Sequence, residues 1–147
     1  MRVLVIGALL VLLAGCGSNN APKAGWSGSL EQKADGTLAI ASFNDFLTGD
    51  GKEFARSPIA AVTEFLGLDK SSAAVIEINA TSPGEVRNYS EVVATLDGLL
   101  DDSVRAARYT VELHRDANEL WSVRAADWAQ RCQPSRGHQD FSAKPCV

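Results

Sequence analysis

The chain has 147 residues, 46% of them hydrophobic and 22% charged, with a formal net charge of −4. That length suits a single domain with a core of its own, and the composition is that of a folded chain. One of its 14 basic residues is Arg2, so 13 basic residues stand against 18 acidic ones beyond residue 15; with no basic run of five or more, this balance argues against nucleic acid and against an anionic membrane surface as partners.

Met1-Arg2 precedes an apolar stretch over residues 3–13. It has the length of a secretory hydrophobic region and is too short to cross a bilayer as a mature helix. It ends in Leu13-Ala14-Gly15-Cys16, and these four residues resemble the lipobox of bacterial lipoproteins. The resemblance implies cleavage before Cys16, a diacylglyceryl group on its thiol and acylation of the new amine. Each buried CH2 of such chains adds ~0.8 kcal/mol of anchoring. Gly17 stands where an Asp would signal inner-membrane retention, so the same resemblance puts the anchor in the outer membrane, facing the periplasm. Residues 1–15 therefore read as signal peptide, 16–35 as lipidated cysteine and flexible tether, and 36–147 as one domain. The lipid is the one membrane contact expected. A tether of about 18 residues reaches roughly 25 Å, with Trp26 its one large apolar group.

Phe43, Phe46 and Leu47 fall at helical spacing, with Ala39 and Ile40 a turn earlier and Gly49-Asp50-Gly51 as the stop. Ser57-Pro58 gives an N-cap followed by proline at the first helical position. Ile59, Val62, Phe65 and Leu66 form the second apolar face, and Gly67 suits the C′ position. The period then changes from 3.6 to 2. Residues 74–80 alternate Ile76 and Ile78 with Glu77 and Asn79 as a strand with one wet face. Ser82-Pro83-Gly84 turns the chain into a second strand over 87–96, and 97–103 is a turn region carrying Leu99-Leu100. Residues 104–115 and 120–131 form the clearest hairpin.

Placing Leu113 opposite Trp121 pairs Val111 with Val123, Tyr109 with Ala125 and Ala107 with Asp127 on one face. The other face then carries Arg108, Thr110, Glu112 and His114 against Ser122, Arg124 and Ala126. A one-residue slip would invert both faces. The expected fold is α+β: two helices, then a four-stranded antiparallel sheet with the helices on one face. This order resembles the cystatin-like and nuclear-transport-factor-2-like group of small folds, with one helix fewer than the latter. The tail Cys132-Gln-Pro-Ser-Arg-Gly-His-Gln-Asp-Phe-Ser…Cys146 also resembles those of bacterial lipoproteins and secreted proteins that bring no known activity with them.

With Cys16 taken by lipid, Cys132 and Cys146 are an even pair in an oxidising compartment and read as a disulfide closing a short C-terminal loop. A metal site of Cys132, His138 and Cys146, with Asp140, is the competing reading, and its spacing matches no zinc pattern. Arg136, His138 and Asp140 inside the loop are candidate recognition residues. Arg105, Tyr109 and Asp127 are candidate pocket residues, with Arg105 and Asp127 expected near each other on the inward face. Phosphate loops, His-Glu-x-x-His, Gly-x-Ser-x-Gly and paired Cys-x-x-Cys motifs are absent from the sequence; no catalytic residue, metal or cofactor is assigned. Two readings follow. The first is a non-catalytic lipid-anchored domain that binds an envelope protein or a cell-wall component. The alternative is a small pocket-bearing enzyme or ligand carrier.

Overall fold

The computed structural model describes residues 25–49 and 52–147. The residues expected to be signal peptide, Cys16 and most of the expected tether lie outside the described residues, as do Asp50 and Gly51. Two helices, α1 (Ala41–Leu47) and α2 (Pro58–Leu66), precede four strands, β1 (Val75–Thr81), β2 (Tyr89–Asp97), β3 (Val104–Arg115) and β4 (Trp121–Cys132). The strands form one antiparallel sheet in the order β1-β2-β3-β4. This is the α+β arrangement expected from the change of period.

Helix α2 starts and stops on its own residues. Ser57 Oγ accepts the Ala60 N–H at 3.3 Å, Pro58 follows at the first position, and Gly67 ends the helix with φ 62°. Only glycine enters that left-handed region without cost. Helix α1 has seven residues and no side-chain cap, so tertiary contacts hold it. Phe43 is fully buried, its ring centroid 4.9 Å from that of Phe65. Asn44 pairs with the backbone of β4: its Nδ2 donates to the Val123 carbonyl at 2.7 Å, and its Oδ1 accepts the Val123 N–H at 3.1 Å.

The core lies between the helices and one sheet face. Phe43, Val62 and Phe65 pack on Val92, Val111, Leu113, Trp121, Val123 and Ala126. Toward the far end, Leu68, Ala94 and Leu96 form a second cluster against which Leu99 packs. Leu99 thus has a packing reason, whereas Leu100 is 86% exposed. Trp26 sits against Phe43 and Phe46, with centroids 5.5 and 5.4 Å away, and its backbone N–H donates to the Glu64 carboxylate. The expected tether is therefore docked on the domain from Trp26 onward.

The β3–β4 register differs from expectation in three respects, one of them a shift between Val104 and Ala106 that passes over Arg105. Trp121 faces Arg115 rather than Leu113, and Leu113 faces Val123. A bulge follows between Glu112 and Leu113, where Glu112 pairs with Ala125 and Arg124 is passed over. Such an extra residue inverts the alternation beyond it. Ala126, Trp128 and Gln130 consequently share the inner face, across from Val111, Tyr109 and Ala107. Ala125 and Asp127, expected inward, belong to the outer face. Asp127 is exposed opposite Thr110.

The two sheet edges are treated differently. Along β4, Asn44 covers Val123, while Leu38 donates to the Ala126 carbonyl at 2.8 Å and Trp128 to that of Gly36 at 2.7 Å. Gln130 and Ser142 exchange backbone bonds at 2.9 Å, and Cys132 donates to His138 at 3.0 Å. Segments from both ends of the domain thus pair with β4 from Val123 to Cys132. Along β1, every residue but Ile78 is exposed, and β2 is its only strand neighbour among the described residues.

Candidate functional site

The tail after β4 is pinned at both ends. Cys132 and Cys146 form the expected disulfide, with Cα atoms 5.5 Å apart. Gly137, at φ 140°, passes so close that a Cβ there would lie 2.8 Å from the Cys132 sulfur. The tail wraps the free edge of β4. On the outer face Phe141 lies beneath two cations, its centroid 3.9 Å from the Arg108 guanidinium and 5.2 Å from that of Arg131. On the inner side residues 142–145 rise as a wall.

Inside this loop the polar side chains hold backbone. His138 Nδ1 lies 2.8 Å from the Asp140 carbonyl and Nε2 lies 3.0 Å from that of Lys144. A carbonyl only accepts, so both contacts are hydrogen bonds only when both ring nitrogens carry protons. The Lys144 and Asp140 carbonyls accordingly raise the His138 pKa; the Asp140 charge acts the same way, and desolvation and Lys144 oppose it. Gln139 Nε2 donates among the carbonyls of Cys132, Gln133 and Gly137. Arg136 is exposed, and its backbone accepts the Val147 N–H at 2.8 Å. Of the candidate recognition residues, Arg136 and Asp140 are exposed, while the imidazole of His138 is turned into the loop. Cys132, His138 and Cys146 do place ligand-type atoms within 4.8 Å of one another. The two sulfurs are bonded to each other, however, and the ring nitrogens face carbonyls.

The candidate pocket residues are not brought together. Arg105 is exposed and turns to Asp97, its Nε 3.3 Å from Oδ1. Arg131 Nη2 holds the other carboxylate oxygen at 2.7 Å. Asp127 faces outward for the reason given by the bulge. Only Tyr109 points inward; burial raises its pKa, and a hydrogen bond from the Gln32 side chain acts against that.

An open trough of about 550 Å³ lies beside β4, beyond the reach of the helices. Trp128 and Gln130 form its floor. One wall is the turn 32–34 and the other is the tail 142–145. Each floor residue roots one wall. Trp128 Nε1 donates to the Lys33 carbonyl at 3.1 Å, and Gln130 Nε2 donates to the Lys144 carbonyl at 2.8 Å. The Lys33 carbonyl also accepts the Gly36 N–H at 3.0 Å, and that of Lys144 also faces His138. Two lysines thus stand on opposite walls with fixed backbones. Among the described residues neither ammonium forms an ion pair, and no carboxylate lines the trough. Sequence reading missed this site. Its signal was Trp128-x-Gln130 at strand spacing, hidden because the bulge determines which face the pair occupies. Neither a family model, nor a curated protein, nor a solved structure matches the chain.

Proposed function

We propose that the chain is an outer-membrane-anchored periplasmic lipoprotein whose domain binds an envelope protein or cell-wall component without transforming it. One observation carries the reading. The space between helices and sheet, where a pocket enzyme would keep its substrate, is filled by fully buried Phe43, Val62, Phe65, Val92, Val111 and Leu113. Recognition then falls to the surface, and the trough beside β4 is where side chains of one charge meet an aromatic floor. The lipobox at Cys16 supplies the anchor, and the acidic balance of the domain keeps it off an anionic bilayer.

Two measurements test this. Fatty-acid labelling of cells is expected to mark the wild-type chain and not Cys16→Ser; label on the variant would remove the lipoprotein reading. A photo-crosslinking residue at Ala34, on the trough wall, is expected to capture a defined envelope adduct. The same residue at Glu85, exposed in the β1–β2 turn, serves as control. Equal capture at both positions, or none at Ala34, would remove the binding reading.

A further inference from the structure

We infer that the trough beside β4 takes an anionic saccharide, with a sugar ring over Trp128 and carboxylate or phosphate groups between Lys33 and Lys144. The inference rests on the binding reading above and names the ligand class for that site. Charge is the first argument. Beyond residue 15 the chain carries five more acidic than basic groups, yet the trough is lined by two lysines and no acid, and Asp35, whose carboxylate feels the Lys33 charge, is outside the lining and held by Thr37. A charge reversal confined to a concave site favours an anion there.

The floor is the second argument. The indole N–H is used on the Lys33 carbonyl, which leaves the ring as an apolar surface. Alanines 34 and 143 and Pro145 extend that surface along the walls. An apolar platform edged by cations fits a ligand with a C–H face and charged substituents, as an acidic sugar has. The third argument is preorganisation. Both lysine backbones are fixed by side chains of adjacent inward positions on β4, so binding orders only the two flexible stems. The open form of the trough suits a segment of a polymer, held along its length, better than an enclosed small molecule.

Two envelope sources share this chemistry: the carboxylate-bearing glycan of the cell wall and the acidic core of lipopolysaccharide. The experiment uses the purified chain over residues 17–147, which lacks the cysteine proposed to be acylated. It is incubated separately with protein-free cell-wall sacculi, with lipopolysaccharide micelles and with chitin, an uncharged hexosamine polymer. Cosedimentation is expected with one of the two anionic probes and not with chitin, and the probe that binds identifies the source. Lys33→Gln with Lys144→Gln is expected to weaken that binding at least tenfold with a nearly unchanged melting temperature, because both side chains are exposed and neither forms a close ion pair among the described residues. Binding should also weaken as salt rises, since the contact is ionic. Binding by neither anionic probe, equal binding to chitin, or an undiminished double variant would each overturn the inference. If those results came with a defined adduct at Ala34, the ligand class would fail while the binding reading stood.

Discussion

Arg131 donates its Nη2 to the Asp97 carboxylate at 2.7 Å, joining β4 to the end of β2 across the intervening β3. Arg105 holds the other oxygen. Burial alone would raise the Asp97 pKa, but the Gly98 N–H and the two guanidiniums outweigh it, and the carboxyl titrates lower than usual. A depressed carboxylate contributes stability that is present above the ordinary Asp range and lost as pH falls through the folded value. Asp97→Asn is expected to cost about 1 kcal/mol at pH 7, since exposed pairs are well screened. Urea unfolding at pH 7 and pH 3 checks it: the variant should lose less than wild type between the two. An equal loss would mean that the pair carries none of the acid sensitivity.

Phe65 is fully buried where α2 meets Phe43 and the sheet. Its truncation removes apolar burial and leaves a cavity, so Phe65→Ala should cost about 3–5 kcal/mol. Urea unfolding measures this. A cost below about 1 kcal/mol would show that the site collapses and that the helix packs less firmly than its contacts imply.

The disulfide closes a loop of 14 residues' separation. Loop-closure entropy puts its contribution at about 3 kcal/mol. Cys132→Ser with Cys146→Ser should lower stability by that order in unfolding by denaturant, and dithiothreitol should do the same to wild type. A larger loss in the double variant than in reduced wild type would point to the hydroxyls being poor fillers beside Gly137.

His138 makes both of its bonds to the tail at once only as an imidazolium, and it is the second bond that comes and goes with pH. Its folded pKa is raised, so the contribution is complete below the ordinary imidazole value and disappears as pH rises through the folded one. The groups facing the ring are the Asp140 carboxylate, which favours the charged form, and the Lys144 ammonium, which opposes it. His138→Ala should therefore lower the melting temperature more at pH 5.5 than at pH 8.5, where the neutral ring keeps one of its two bonds. Arg136→Ala, whose side chain is exposed, should leave it unchanged at both, within the about 0.5 kcal/mol usual for surface positions. A pH-independent effect of His138→Ala would assign the ring to packing alone.

Much of this architecture was legible because local signals agreed with one another. Ser57-Pro58 and Gly67 bracket α2 through backbone chemistry that needs no tertiary context. The strands lie within one to two residues of their expected bounds, because alternation marks a half-buried sheet. What escaped was set by one residue. The bulge beside Leu113 has no glycine or proline to announce it, and every inward assignment on β4 beyond it changed sides. Asp127 left the pocket reading by that route, and Trp128 and Gln130 entered the trough by it. The role of His138 escaped for a different reason: its partners are carbonyls, and main-chain acceptors have no sequence signature.

The unequal sheet edges limit how copies of this domain could join. A strand edge with unused backbone groups is a template for another chain, and among the described residues β1 is the edge left open. Were both edges open, copies could add head to tail without end, as fibres do. With β4 sealed by Asn44, residues 36–38 and the disulfide-bound tail, growth has one reactive end per molecule. Joining through β1 would then stop at two copies, an eight-stranded sheet with both ends closed.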